Sequence, residues 1–138
     1  MSDTINGFDV MRGFLPSSPF VQHLGVELLE LEPDRATLRL PFIEQVVTIG
    51  ETIHGGAIAS LIATTAMAAA WATDQAPASM RGTTVGITVN YLAAANKTDL
   101  VARARVVRRG RSLCHVDVEV TDSDELLVAK GLVTYKLG

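Results

Sequence analysis

The spacing of hydrophobic positions changes repeatedly along this chain, and each change marks a new element. From Phe8 to Leu24 apolar residues recur near helical spacing, broken by Pro16 and Pro19, which predicts one or two short helices. Between Arg35 and Leu40 the period falls to two. Ala36, Leu38 and Leu40 alternate with Arg35, Thr37 and Arg39, as in a strand with one covered face. A less regular strand-like run, Val26 to Leu31, precedes it, and Glu32-Pro33-Asp34 between the two suits a hairpin turn. After a loop from Pro41 to Ile53, an uncharged alanine-rich stretch predicts a long helix from His54 to about Thr73. Pro77 and Gly82 lie in the loop beyond it. The period of two then returns. Thr84–Leu92 sets Val85, Ile87, Val89 and Tyr91 on one face, and Leu100–Val107 sets Arg103 and Arg105 opposite Ala102, Ala104 and Val106. Leu113–Thr121 sets Val116, Val118 and Val120 opposite His115, Asp117 and Glu119, and Leu126–Tyr135 closes the series.

A hairpin, one long helix and a run of antiparallel strands describe an α+β domain, in which a twisted sheet wraps a single apolar helix. Alanine on that helix lets the sheet approach closely, and the helix is expected to be buried on nearly all sides. No linker or repeat divides the chain. Residues 1–24 form an N-terminal helical segment and 25–138 the main domain, together a single unit long enough for one well-buried core.

Composition narrows the functional classes. Apolar residues make up 48% of the chain and the net charge is −3, without the basic excess of a nucleic-acid binder. The stretch Met1–Val10 is polar and acidic, unlike a secretory signal. Gly55–Ala72 is uncharged but mostly alanine, with Ser60, Thr64 and Thr65 inside, too weakly hydrophobic for a membrane span. No membrane association is expected, and a cytoplasmic location is. The lone Cys114 cannot form an internal disulfide and sits in an alternating apolar run, where it reads as a strand residue rather than a nucleophile. His23, His54 and His115 show no ligand spacing, so neither a metal site nor a separate cofactor is expected.

The most informative segment runs from Thr48 to Leu61, where His54-Gly55-Gly56 opens the long helix. The first backbone N–H groups of a helix have no partner within it, and the helix dipole places partial positive charge there. Glycine leaves them open to a ligand. Such an end can hold a carbonyl oxygen as it becomes an oxyanion; the same tripeptide also serves as a tight entry into a helix.

The order of four features resembles the hotdog-fold acyl-CoA thioesterases of the phenylacetate-degradation type, over nearly the whole chain after residue 20. These are His54-Gly55-Gly56, Thr83-Thr84-Val85 opening a strand that ends in Asn90-Tyr91-Leu92, Val106-Val107 leading to Gly110-Arg111-Ser112, and the terminal run Leu127–Gly131. The resemblance implies an antiparallel sheet wrapped around one central helix and hydrolysis of acyl-CoA thioesters to free acid and coenzyme A. It implies that the Gly55 N–H binds the thioester carbonyl, that His54 positions the thioester and that Thr84 holds the attacking water. It also implies an aspartate or glutamate nine residues beyond the histidine, as base or nucleophile. This chain has Ala63 there, and Thr48 where relatives often carry asparagine. A methyl group can neither take a proton nor attack a carbonyl. At about 100° per residue, positions 54 and 63 lie on opposite faces of the helix. The family resolves this with a dimer, which implies a site across a two-fold interface in a homodimer or homotetramer.

Glu51, just before His54, is the favoured substitute for the missing carboxylate; Glu44 and Asp74 are more remote, and Thr64 or Thr65 could order a water. The basic turn supplies Arg109, Gly110, Arg111 and Ser112 as candidates for the coenzyme A phosphates, because arginine donates paired hydrogen bonds to phosphate oxygens. It could equally be a solvated hairpin turn. Coenzyme A is then part of the substrate. Three functions stay open: thioester hydrolysis, which is preferred; binding of acyl-CoA or an aromatic acid without turnover, which Ala63 favours; and dehydration of a hydroxyacyl thioester. The last needs a paired acid and base beside His54, and the sequence offers no second histidine or carboxylate well placed for it.

Overall fold

The computed structural model describes residues 4–138; the reading of residues 1–3 as part of a polar segment falls outside them. Helix α1 (Gly7–Ser17) starts at a capping box, in which Asn6 Oδ1 accepts from the Asp9 N–H at 3.0 Å and the Asp9 carboxylate accepts from the Asn6 N–H at 3.1 Å. Helix α2 (Pro19–Leu24) follows, with proline at its first position. Strands β1 (Glu27–Glu32) and β2 (Arg35–Leu40) form the first hairpin. The segment read as a loop carries a 3-10 turn (Glu44–Val46) and a small hairpin of β3 (Val47–Ile49) and β4 (Thr52–Ile53). Helix α3 (Gly55–Trp71) comes next, then β5 (Gly82–Tyr91), β6 (Leu100–Arg109), β7 (Leu113–Thr121) and β8 (Leu127–Leu137).

Six strands form one antiparallel sheet in the order β1-β2-β6-β7-β8-β5, with α3 against one face. The alternation in β2, β6 and β7 sorts as its spacing requires. Leu38, Ala102, Val116, Val118 and Val120 are buried, while Arg103, Arg105 and Glu119 are exposed on the outer face. Leu61, Ile62, Ala66 and Ala69 of α3 are fully buried. Thr65, also buried, satisfies its hydroxyl by donating to the Leu61 carbonyl at 2.6 Å. At Gly131, β8 passes beneath Ile62 so closely that an added Cβ would meet Ile62 Cγ2 at 2.5 Å.

Two features differ from the expectation of a helix buried almost all round. Gly56 is exposed, and Ala59, Ser60, Ala63, Thr64 and Met67 are half-buried, leaving an open stripe of small residues along α3. Beside it, the edge strand β5 is exposed along most of its length, with only Val89 half-buried against the core, so its period of two does not divide inside from outside. Val85 keeps 55% of its surface exposed and Ile87 44%, and a bulge falls between Thr84 and Gly86. Among the described residues, no helix is long and apolar enough to cross a membrane.

Candidate active site

The start of α3 is held from three sides. The His54 N–H donates to the Val46 carbonyl at 2.7 Å, and the Ile53 N–H to the Ala95 carbonyl at 2.9 Å. Thr52 Oγ1 donates to Asn96 Oδ1 at 2.6 Å. The histidine caps its own helix: its Nδ1 accepts from the Gly56 N–H at 2.7 Å. A ring nitrogen that accepts carries no proton, so neutral His54 holds its proton on Nε2. The Gly55 N–H, the first of the helix, has no hydrogen-bond acceptor among the described residues. Gly55 lines a cleft of about 500 Å³ together with Thr48, Thr52, Ile58, Tyr91 and the stretch Leu92–Ala95.

Tyr91 completes this end, and the sequence reading did not single it out as a site residue. Its hydroxyl donates to the Gly55 carbonyl at 2.6 Å, and its ring lies 3.2 Å from where a Cβ on residue 55 would stand. A side chain there would push the Tyr91 ring outward by a few tenths of an ångström, so glycine favours its close approach to the helix. Only the Asn90-Tyr91-Leu92 strand end hinted at it, because the contact joins residues 36 positions apart.

The remaining candidates lie elsewhere. Thr84 pairs with Tyr135 in β8 whereas Tyr91 pairs with Ala129, so the two are about 23 Å apart along β5. Thr84 therefore sits toward the Trp71 end of α3, whose 17 residues span about 25 Å. The basic turn is at that end too. Arg109, Gly110 and Arg111 face Trp71 and Gln75 across a cleft of about 260 Å³. Arg109 already donates to Asp34 Oδ1 at 2.7 Å and to Cys114 Sγ at 3.2 Å, while Arg111 is exposed with no ion pair among the described residues. The Gly110 N–H donates to the Leu113 carbonyl, and the Ser112 carbonyl accepts from Leu137, both at 2.8 Å. Between α1 and the second half of α3 a cleft of about 490 Å³ is lined by Phe14, Met67, Trp71 and Met80.

Glu51 stands exposed in the turn between β3 and β4, 3.9 Å from the Lys97 ammonium, and is not among the residues lining the Gly55 cleft. Glu44 is exposed in the 3-10 turn, and Asp74 lies past the end of α3. Ala63 and Thr64 lie on the open stripe; Thr64 Oγ1 donates to the Ser60 carbonyl at 2.7 Å, so towards a water it can only accept. Cys114 is buried in β7; burial pushes its thiol pKa up, against the nearby Arg109 guanidinium, which pulls it down. Among the described residues, no cluster of histidine, cysteine or carboxylate side chains could hold a metal ion.

A long antiparallel sheet packed on one central helix is the hotdog architecture of the thioesterase superfamily. Residues 43–136 match the acyl-CoA thioesterase N-terminal domain family, and the chain belongs to that family. Zebrafish thioesterase superfamily member 2 superimposes with a TM-score of 0.81 at 28% identity, over 98% of this chain and 100% of that one. The Escherichia coli PaaI protein, from the phenylacetic acid degradation operon, gives 0.83 at 17% identity, over 96% and 93%. A hypothetical thioesterase protein with coenzyme A from Streptococcus pneumoniae gives 0.72 at 19% identity, over 82% and 85%. The last two likenesses speak for the fold alone.

Proposed function

We propose that this protein hydrolyses acyl thioesters of coenzyme A, in a site that two copies of the chain complete together. The observation that carries the reading is the Gly55 N–H: unpartnered, at the positive end of a helix, on a residue that lines an open cleft. The thioester carbonyl oxygen accepts from that N–H. A water held by Thr64 and Thr84 of the partner subunit adds its oxygen to the carbonyl carbon. The C–S bond then breaks, and the proton lost by the water passes through solvent to the departing thiolate, giving the acid and the coenzyme A thiol.

Two copies are invoked because Gly55 and Thr84 lie at opposite ends of α3 in one chain. The uncovered edge of β5 and the open stripe of α3 offer the surface for a second copy. Antiparallel pairing of two β5 strands about an axis near Ile87 would set Thr84 of one opposite Asn90 of the other, beside Tyr91. The same pairing would bring the basic turn and the Met67–Trp71 cleft of one chain toward the Gly55 cleft of its partner, for the phosphates and the acyl group respectively. The order of sequence motifs supports a relation to the phenylacetate-degradation type.

Ala63 favours a second reading, a binding protein that retains the oxyanion donor and releases its ligand unchanged. Steady-state release of thiol from short-chain, long-chain and aromatic acyl-CoA esters, wild type beside Ala63→Asp, separates the two. Turnover by the wild type is expected. A silent wild type with activity gained in the aspartate variant would replace hydrolysis with binding.

A further inference from the structure

One peptide group, that between Gly55 and Gly56, is held at both of its polar ends. Its carbonyl accepts from the Tyr91 hydroxyl at 2.6 Å, and its N–H donates to His54 Nδ1 at 2.7 Å. We propose that Tyr91 is a positioning residue, acting through this peptide to hold His54 in its Nε2–H form and the neighbouring Gly55 N–H toward the cleft. The catalytic part of this inference rests on the hydrolytic reading above.

A donor on a peptide oxygen draws electron density from the nitrogen, so the N–H of the same group becomes a stronger donor. The Tyr91 proton and the Gly56 proton thus reinforce one another, and both favour an unprotonated Nδ1. The proton of the neutral ring is left on Nε2, where it can donate to a thioester; with Nε2 so occupied, His54 cannot serve there as a general base. The same clamp fixes the orientation of the first turn, in which the Gly55 N–H is the unpartnered donor. Tyr91 ends β5, so the sheet edge and the helix start are tied through a single hydroxyl. The tyrosine ring against Gly55 supplies packing and the hydroxyl supplies the polarity, which makes the two separable by Tyr91→Phe.

The test compares wild type and Tyr91→Phe, both labelled with nitrogen-15 histidine, by two-bond proton–nitrogen spectra, with His54→Gln used to assign the His54 signals. The expected wild-type pattern is a protonated Nε2 and an accepting Nδ1. In Tyr91→Phe the two His54 nitrogens should move toward each other as both tautomers become populated, while His23 and His115 keep their signals as controls for folding. On acyl-CoA esters, kcat should fall roughly three- to tenfold, the effect of one lost hydrogen bond, and KM should change less than about twofold. Unchanged His54 nitrogens in the phenylalanine variant, or a loss carried by KM alone, would overturn the proposal. A wild type that turns over no ester would defeat the hydrolytic reading separately, and the nitrogen signals would then decide on their own whether Tyr91 sets the tautomer.

Discussion

Between α3 and the sheet, Trp71 Nε1 donates to Tyr135 Oη at 2.9 Å, and both side chains are buried. Removing the acceptor takes away the hydrogen-bond partner of a buried indole N–H, which costs about 1–3 kcal/mol where the group stays unsatisfied. Tyr135→Phe should therefore lower the urea midpoint with the slope unchanged; an unaltered midpoint would mean that the indole finds another partner. Tyr135 also shares a titration argument with Cys114. Burial raises both pKa values above their ordinary 9.0 for the thiol and 10.0 for the phenol, each against a hydrogen bond that lowers it, from Arg109 and Trp71 respectively. A raised acid pKa means that the folded state favours the neutral form. That contribution is intact below the unfolded value and is lost as pH rises through the folded one. Stability should thus decline from about pH 9 upward, and Cys114→Ala should flatten the first part of the decline, whatever it does to the stability at neutral pH. Denaturation midpoints taken across pH 8–11 give the slope; equal slopes in the two proteins would exclude a role for the thiol.

Elements were legible where one face is covered and the other is not. The charged and apolar sides of β2, β6 and β7 could be assigned because the sheet buries one of them against α3. The same alternation in β5 carried no such information, since within the chain this edge strand is exposed on both faces except at Val89. The β3–β4 hairpin escaped because strands of three and two residues are too short to show a period. It is secured instead by Thr52 and Ile53 reaching Asn96 and Ala95, contacts that local pattern cannot reveal. Alanine marked α3 as a helix, but a small side chain suits a close sheet and an open stripe equally. At the other end of the chain, α1 depends on a legible local device. Asn6→Ala removes the oxygen that accepts from the Asp9 N–H, and should destabilise the protein by about 1 kcal/mol. A thermal scan checks this; no shift would mean that docking of α1 against the end of α3, where the Phe8 N–H donates to the Thr73 carbonyl at 3.3 Å, fixes the helix start without its cap.

For the molecule as a whole, the contiguous part of the candidate site could be read from the sequence and the assembled part could not. Thr48, His54 and Gly55 are near in sequence and meet around one helix start, whereas Thr84 and the basic turn are placed by the sheet at the far end of α3. If hydrolysis needs both ends at once, each end must come from a different copy. His54→Ala and Thr84→Val would then disable every site in their own homodimers. Co-expressed, they would form heterodimers carrying one doubly altered site and one site with neither change. Random pairing makes half of all dimers mixed and half of the sites in those intact, so the mixture should regain about a quarter of wild-type turnover. Assembly of dimers into tetramers leaves that fraction unchanged. Activity no greater than the average of the two parents would instead place His54 and Thr84 in one chain's site or outside the chemistry altogether. Recovery of turnover by two inactive proteins has no equivalent explanation, because neither chain alone brings the helix start within reach of Thr84.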